Sequence, residues 1–186
     1  DRMAANLPAK RAIGNRAADL VPDNATVMID SGTTCIFTAE ALMERRGLTV
    51  ITNDIHVAGK LADRNDNRVL MLGGELVNGE SATMGRDATA MLENYFADFS
   101  FIGISSLSDE GDLCDYTREA AALRSMMIHQ ARTPVLVGDH DKFGWSGQVR
   151  VDGLERVGYL VTNRALAPSL SAHLKKLGVV AKIAKA

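Results

Sequence analysis

Asp30-Ser31-Gly32-Thr33-Thr34 sets three hydroxyls and a glycine between the apolar run 26–29 and the amphipathic stretch 35–46. A buried strand, a tight polar turn and a helix start together can hold an anion. The first backbone N–H groups of a helix lack intrahelical acceptors, and the helix dipole favours negative charge at that end. Gly32 would let the backbone approach a ligand closely, and Ser31, Thr33 and Thr34 can donate to phosphate oxygens. An ordinary capped helix fits the same five residues, because Ser and Thr are common N-caps.

Similar chemistry recurs along the chain. Thr52-Asn53-Asp54, Gly73-Gly74-Glu75, Gly103-Ile104-Ser105-Ser106 and the run from Asp139 to Gly144 each follow an apolar segment. Asn53 can bond a sugar hydroxyl or its own backbone, and Asp139 can accept from hydroxyls or cap the turn after it. Lys142 offers a point charge for phosphate, or it is a surface lysine; Arg86 and Arg124 are further cations with the same two readings. The stretch from Gly74 to Ser81 imitates a nucleotide phosphate loop, but Glu80 stands where that motif needs lysine, so the reading fails. The chain carries neither a dinucleotide glycine fingerprint nor a nucleophile elbow. Cys35 falls within an apolar pattern and reads as a small buried hydrophobe.

The elements that must position these residues alternate. Strands are expected at 26–29, 48–52, 68–72, 99–104, 134–137, 158–162 and 179–183. Helices are expected at 8–20, 35–46, 55–63, 83–94, 119–131 and 168–177. The strands are continuous apolar runs, as when both faces of a sheet are covered. The pattern predicts a three-layer α/β/α fold with a mainly parallel sheet, in which ligands bind outside the carboxyl ends of strands. Residues 105–118 show no period and read as a long functional loop.

Composition narrows the function classes. The chain has 186 residues, 46% of them hydrophobic, enough for one domain with a sizeable core. No apolar run approaches membrane-spanning length. A net charge of −2 gives no global field toward nucleic acid. Two cysteines suit a reducing cytosol, and four scattered histidines show no metal-ligand spacing, so neither metal nor cofactor is expected. The start at Asp1 resembles neither an initiator nor a signal peptide, so the chain reads as part of something longer.

In order and spacing, Asp30 to Thr34, Thr52-Asn53, Gly73-Gly74, Phe101-Ile102-Gly103-Ile104 and Asp139-His140-Asp141-Lys142-Phe143-Gly144 resemble the C-terminal effector domain of DeoR-family transcriptional regulators. Residues 98–108, with Asp115-Tyr116, look like the glycerol-3-phosphate repressor branch. The resemblance implies a linker and first helix over 1–22, a sensor domain over 23–186, and a helix-turn-helix module upstream. It implies a homo-oligomeric, cytoplasmic regulator responding to a phosphorylated sugar or polyol, with DNA bound only through the upstream module. Carried over by motif, Asp30 to Thr34 would hold the phosphate. Thr52, Asn53, Gly73, Gly74, Gly103, Asp139 and Lys142 would line the remainder, with Arg124 at the family's lysine position. Ala120 then falls where the family has glutamate, with Glu119 one residue away. The fold also resembles ribose-phosphate isomerases and CoA-transferases, which makes a sugar-phosphate isomerase the alternative. Its glutamate base would fall near Arg124, and a guanidinium cannot take that role.

Overall fold

Thr26-Val27-Met28-Ile29 forms β1 (Thr26–Ile29) and shows why the strands carry no polar alternation: Val27 and Ile29 pack into one apolar cluster, Met28 into another. The computed structural model describes residues 5–186. In chain order the first elements are α1 (Leu7–Ala18), β1, α2 (Thr33–Ala41), β2 (Thr49–Thr52), α3 (Ile55–Leu61) and β3 (Arg68–Met71). Next come α4 (Arg86–Leu92), β4 (Ala97–Gly103), β5 (Ser106–Leu107), β6 (Leu113–Asp115) and α5 (Arg118–His129). The chain finishes with β7 (Ala131–Val137), β8 (Val149–Arg150), β9 (Tyr159–Thr162), α6 (Pro168–Leu177) and β10 (Val180–Ile183).

Seven strands form one sheet in the order β10-β9-β7-β4-β1-β2-β3, and every pairing in it is parallel. The cluster around Ile13, Ala17, Ile36, Val57 and Leu61 joins α1, α2 and α3 to one face. Ala88, Leu92, Leu123, Met127, Leu170 and Leu174 bring α4, α5 and α6 onto the other. The three-layer α/β/α expectation therefore holds. From β1 the chain builds outward to β2 and β3, then crosses back to β4 and continues to β7, β9 and β10. The switch in direction lies between β1 and β4, where parallel sheets open a crevice at their carboxyl ends.

Three expectations are corrected. Residues 105–118 are not a periodless loop: β5 and β6 pair antiparallel, and β8 extends them into a second, three-stranded sheet. The expected helix at 35–46 starts two residues earlier, ends at Ala41 and continues as a 3-10 turn, Leu42–Glu44. The helix expected at 83–94 starts only at Arg86. Gly85 at its N-cap has φ 100°, and Thr83 is engaged elsewhere, donating to the Leu72 carbonyl.

Candidate functional site

A crevice of about 690 Å³ opens at the carboxyl ends of β1, β4 and β7. That volume is in the range of small-molecule sites. Ser31, Gly32, Thr33 and Thr34 form one wall. Gly32 is the N-cap of α2 with φ 113°, which a residue bearing Cβ rarely adopts, and it makes no side-chain cap, so the first turn of α2 faces the opening. A Cβ added at Gly32 would meet nothing within 4 Å, so the glycine answers a backbone requirement and keeps that space open. Gly103, Ile104 and Ser105 follow β4, and Lys142 arrives from the 3-10 turn His140–Lys142 beyond β7.

The floor of the crevice is a buried ionic cluster. Arg124, from the middle of α5, donates from Nε to Asp30 Oδ2 at 2.7 Å and from Nη1 to Ser105 Oγ at 2.6 Å. Its Nη1 also lies 2.8 Å from Asp115 Oδ2. The three side chains are 12%, 1% and 5% exposed for Arg124, Asp30 and Asp115. Burial pushes the Asp30 carboxyl above its ordinary range, against the pull of Arg124 and of the Ser31 and Gly103 N–H groups. Burial alone would lower the Arg124 value, but Asp30 and then Asp115 more than offset it, so the guanidinium is held charged. Two carboxylates thus face one guanidinium. The Cys35 thiol is pushed well above its ordinary value by burial and then by the Asp30 charge, so it is inert, as its apolar pattern suggests.

The residues singled out in the sequence divide into three groups. Ser31, Gly32, Thr33, Thr34, Gly103, Arg124 and Lys142 line the crevice together. Asp30, Thr52, Asn53 and Asp139 sit at the expected strand ends but are buried and serve as internal ties. Asp30 accepts from Gly103 N–H and Arg124. Thr52 Oγ1 donates to the Ile29 carbonyl at 2.7 Å, Asn53 Nδ2 to the Thr83 carbonyl at 2.8 Å, and Asp139 Oδ1 accepts from Asp141 N–H at 2.9 Å. Gly73 and Gly74 follow β3 on the exposed flank and do not line the crevice; Gly74 has φ 128°.

Sequence reasoning missed Lys10, His56, Ser81 and Tyr116, which also line the crevice, and it gave Glu80 no place there. It also missed Ser105 and Asp115 as partners of Arg124. A smaller cavity of about 340 Å³ adjoins, sharing Ser31, Gly32, Glu80, Ser105, Tyr116 and Arg124, and both Glu119 and Ala120 line it. Chemically, the crevice brings together the first turn of α2, hydroxyls, Lys10, Lys142 and the Glu80 carboxylate, while Asp30 and Asp115 are held by Arg124.

Comparisons with known proteins bear on the family and the fold. The profile of the DeoR C terminal sensor domain matches residues 5–164. The glycerol-3-phosphate regulon repressor of Escherichia coli (strain K12) is 29% identical over 163 residues, 88% of this chain and 65% of that protein. The HTH-type transcriptional repressor CsqR of the same organism is 31% identical over 167 residues, 89% of this chain and 64% of that protein. The chain thus spans a little under two thirds of the length of these relatives. Among solved structures, ribose 5-phosphate isomerase A from Methanocaldococcus jannaschii aligns with TM-score 0.54 at 14% identity, covering 75% of this chain and 55% of that one. The eIF2B beta subunit from Chaetomium thermophilum gives 0.56 at 16% identity, covering 83% of this chain and 50% of that one. These two likenesses are of fold alone. By the extent of the profile match, the chain belongs to the DeoR family of transcriptional regulators, as its C-terminal sensor domain.

Proposed function

We propose that this domain binds a small phosphorylated sugar or polyol, glycerol 3-phosphate being the first to try, and that occupancy controls a DNA-binding segment elsewhere in the protein. The observation that carries the reading is the meeting, in one crevice, of the uncapped start of α2, the positive-φ Gly32 and Lys142. The phosphate sits against the first turn of α2, and the hydroxylated part extends toward Ser105 and Tyr116. The ligand favours one arrangement of a homo-oligomer over another and shifts the population by its difference in affinity, no more. The domain acts as a sensor and not as an isomerase. The carboxylates nearest the floor are paired with Arg124, and the isomerase likeness is of fold alone.

The test is a thermal-shift screen of sugar and polyol phosphates against their unphosphorylated parents. A phosphorylated ligand at about 100 times its Kd stabilises the fold by roughly 2.7 kcal/mol. Equal shifts from glycerol and glycerol 3-phosphate, or from every such pair, would overturn the phosphate site. Incubation with ribose 5-phosphate is expected to give no ketose above background; turnover would restore the enzyme reading.

A further inference from the structure

Two large aromatic rings stand open to solvent beside the crevice. Tyr116 is 53% exposed and Trp145 39%, and neither belongs to the apolar core. Their ring centroids lie 6.4 Å apart, with 31° between the planes. Both residues are nevertheless held in place. The Tyr116 N–H donates to Asp115 Oδ1 at 2.7 Å, and Asp115 is fixed in turn by Arg124. Trp145 Nε1 donates to the carbonyl of Asp141, on the turn that carries Lys142, at 3.1 Å. The segment around Trp145 is sewn to the small sheet: the Gly144 N–H donates to the Leu107 carbonyl and the Gly147 N–H to Ser106 Oγ, each at 2.9 Å. An exposed ring that is already ordered loses little freedom when a ligand settles on it.

Tyr116 lines both the large crevice and the smaller cavity beside it. The smaller cavity has two kinds of wall. Val77, Met84, Ala120 and Tyr116 bring apolar surface, while Ser105 and Thr117 bring hydroxyls. Charge decides which end of a phosphorylated ligand lies there. Glu80, Asp115 and Glu119 bring carboxylates, and among the described residues the one cation on its walls is Arg124, already engaged by Asp30 and Asp115. Such a cavity repels a phosphate and accepts from hydroxyl groups. The phosphate belongs in the larger crevice, which Lys142 lines, and the carbon part of the ligand lies toward Tyr116. A flat apolar face beside hydroxyls and carboxylates matches a closed sugar ring, which turns C–H groups from its faces and hydroxyls from its edge. An open three-carbon polyol phosphate has no such face.

We propose that Tyr116, steadied by Trp145, is the stacking surface for the ring of the effector, and that the effector is a cyclic pentose or hexose phosphate in preference to an open-chain polyol phosphate. The proposal rests on the phosphate-binding reading above and narrows its ligand class.

The test titrates the 186-residue chain by calorimetry with ribose 5-phosphate, fructose 6-phosphate, glucose 6-phosphate and galactose 6-phosphate. Each is set beside an open-chain alditol phosphate of the same carbon number, and glycerol 3-phosphate and inorganic phosphate complete the set. The parent is compared with Tyr116→Ala and Tyr116→Phe, and the emission of Trp145, the chain's single tryptophan, is followed throughout. At least one ring phosphate is expected to bind the parent roughly three- to tenfold more tightly than its alditol phosphate and than glycerol 3-phosphate, the scale of one aromatic contact. Tyr116→Ala should erase that margin and leave the affinity for inorganic phosphate as it was, whereas Tyr116→Phe should keep the margin. The same ring phosphate should change Trp145 emission in the parent more than inorganic phosphate does. If phosphates bind but no ring phosphate exceeds its alditol partner, or if Tyr116→Ala keeps the margin, the stacking role falls and the phosphate site stands. If the parent binds neither inorganic phosphate nor any sugar or polyol phosphate, both readings fall. Should the alanine variant not fold, the parent decides: a ring-over-alditol margin kept in Tyr116→Phe supports the proposal, and no margin overturns it.

Discussion

At the scale of single residues, the crevice has two kinds of cation, and they should respond differently to removal. Lys142 sits at the rim on a short 3-10 turn, and no core element depends on it. Lys142→Ala is expected to weaken glycerol 3-phosphate binding by roughly 1.5–3 kcal/mol, with the free domain melting as before. Lys142→Arg should restore binding only in part, since a planar fork needs different geometry from an ammonium. A titration in which alanine binds as tightly as lysine would make Lys142 a surface residue. Arg124 is the opposite case. Arg124→Met leaves Asp30 and Asp115 buried without their counter-ion, and breaking such a cluster costs about 3–5 kcal/mol. Urea denaturation should show that loss, and adding Asp30→Asn and Asp115→Asn to the same chain should recover much of it. A loss below about 1 kcal/mol would mean that water reaches the carboxylates freely. The sequence shows glycines and polar residues after five of the strands. It does not show whether the side chain turns outward to a ligand, as at Ser31, or inward to a neighbouring loop, as at Thr52 and Asn53. That direction is set by strands far apart in the chain.

At the scale of elements, α6 was legible to the residue, because Pro168 opens it and Gly178 with φ 86° closes it. The β5–β6 hairpin was not legible: strands of two and three residues are too short to display a period. Lys10 had left a trace, a charge interrupting the small and apolar stripe of α1, but its meaning depends on how α1 lies on α2. That contact hinges on Gly14, where a Cβ would come within 2.6 Å of the Phe37 carbonyl carbon and 2.8 Å of the Thr38 nitrogen. Helix propensity alone would make Gly14→Ala stabilising by about 1 kcal/mol. Backbone atoms cannot move aside as a side-chain tip can, so the net expectation is a loss of about 1–3 kcal/mol, measurable by chemical denaturation. A gain in stability would show that α1 can shift on α2 without penalty. The pairing of Asp30 with Arg124 spans 94 residues. It joins the end of β1 to α5, and through Asp115 it reaches the small sheet, so the floor of the crevice exists only once those elements have met.

At the scale of the whole molecule, the described residues form a three-layer sandwich whose candidate crevice lies where the sheet reverses its order. Among the described residues no helix is long and apolar enough to cross a membrane. The position of β1 between β2 and β4 also has a consequence for how the chain emerges from a ribosome. Val27 pairs with Val50 on one side and with Phe99 on the other. The first partner is made about 20 residues later and the second about 70, which at 5–20 residues per second is a delay of several seconds. During that interval β1, β2 and β3 can assemble with α1, α2 and α3, yet one long side of β1 stays unpaired. An apolar strand with open N–H and C=O groups is a template for another chain. A fragment of residues 1–96, which lacks β4, is therefore expected to form open-ended aggregates and to bind hydrophobic dyes more strongly than the intact chain. A monomeric fragment with a cooperative melt would mean that this half shields its own edge. Otherwise, between the synthesis of Leu72 and that of Gly103, the nascent chain depends on low crowding or a chaperone to keep the central strand for its intended neighbour.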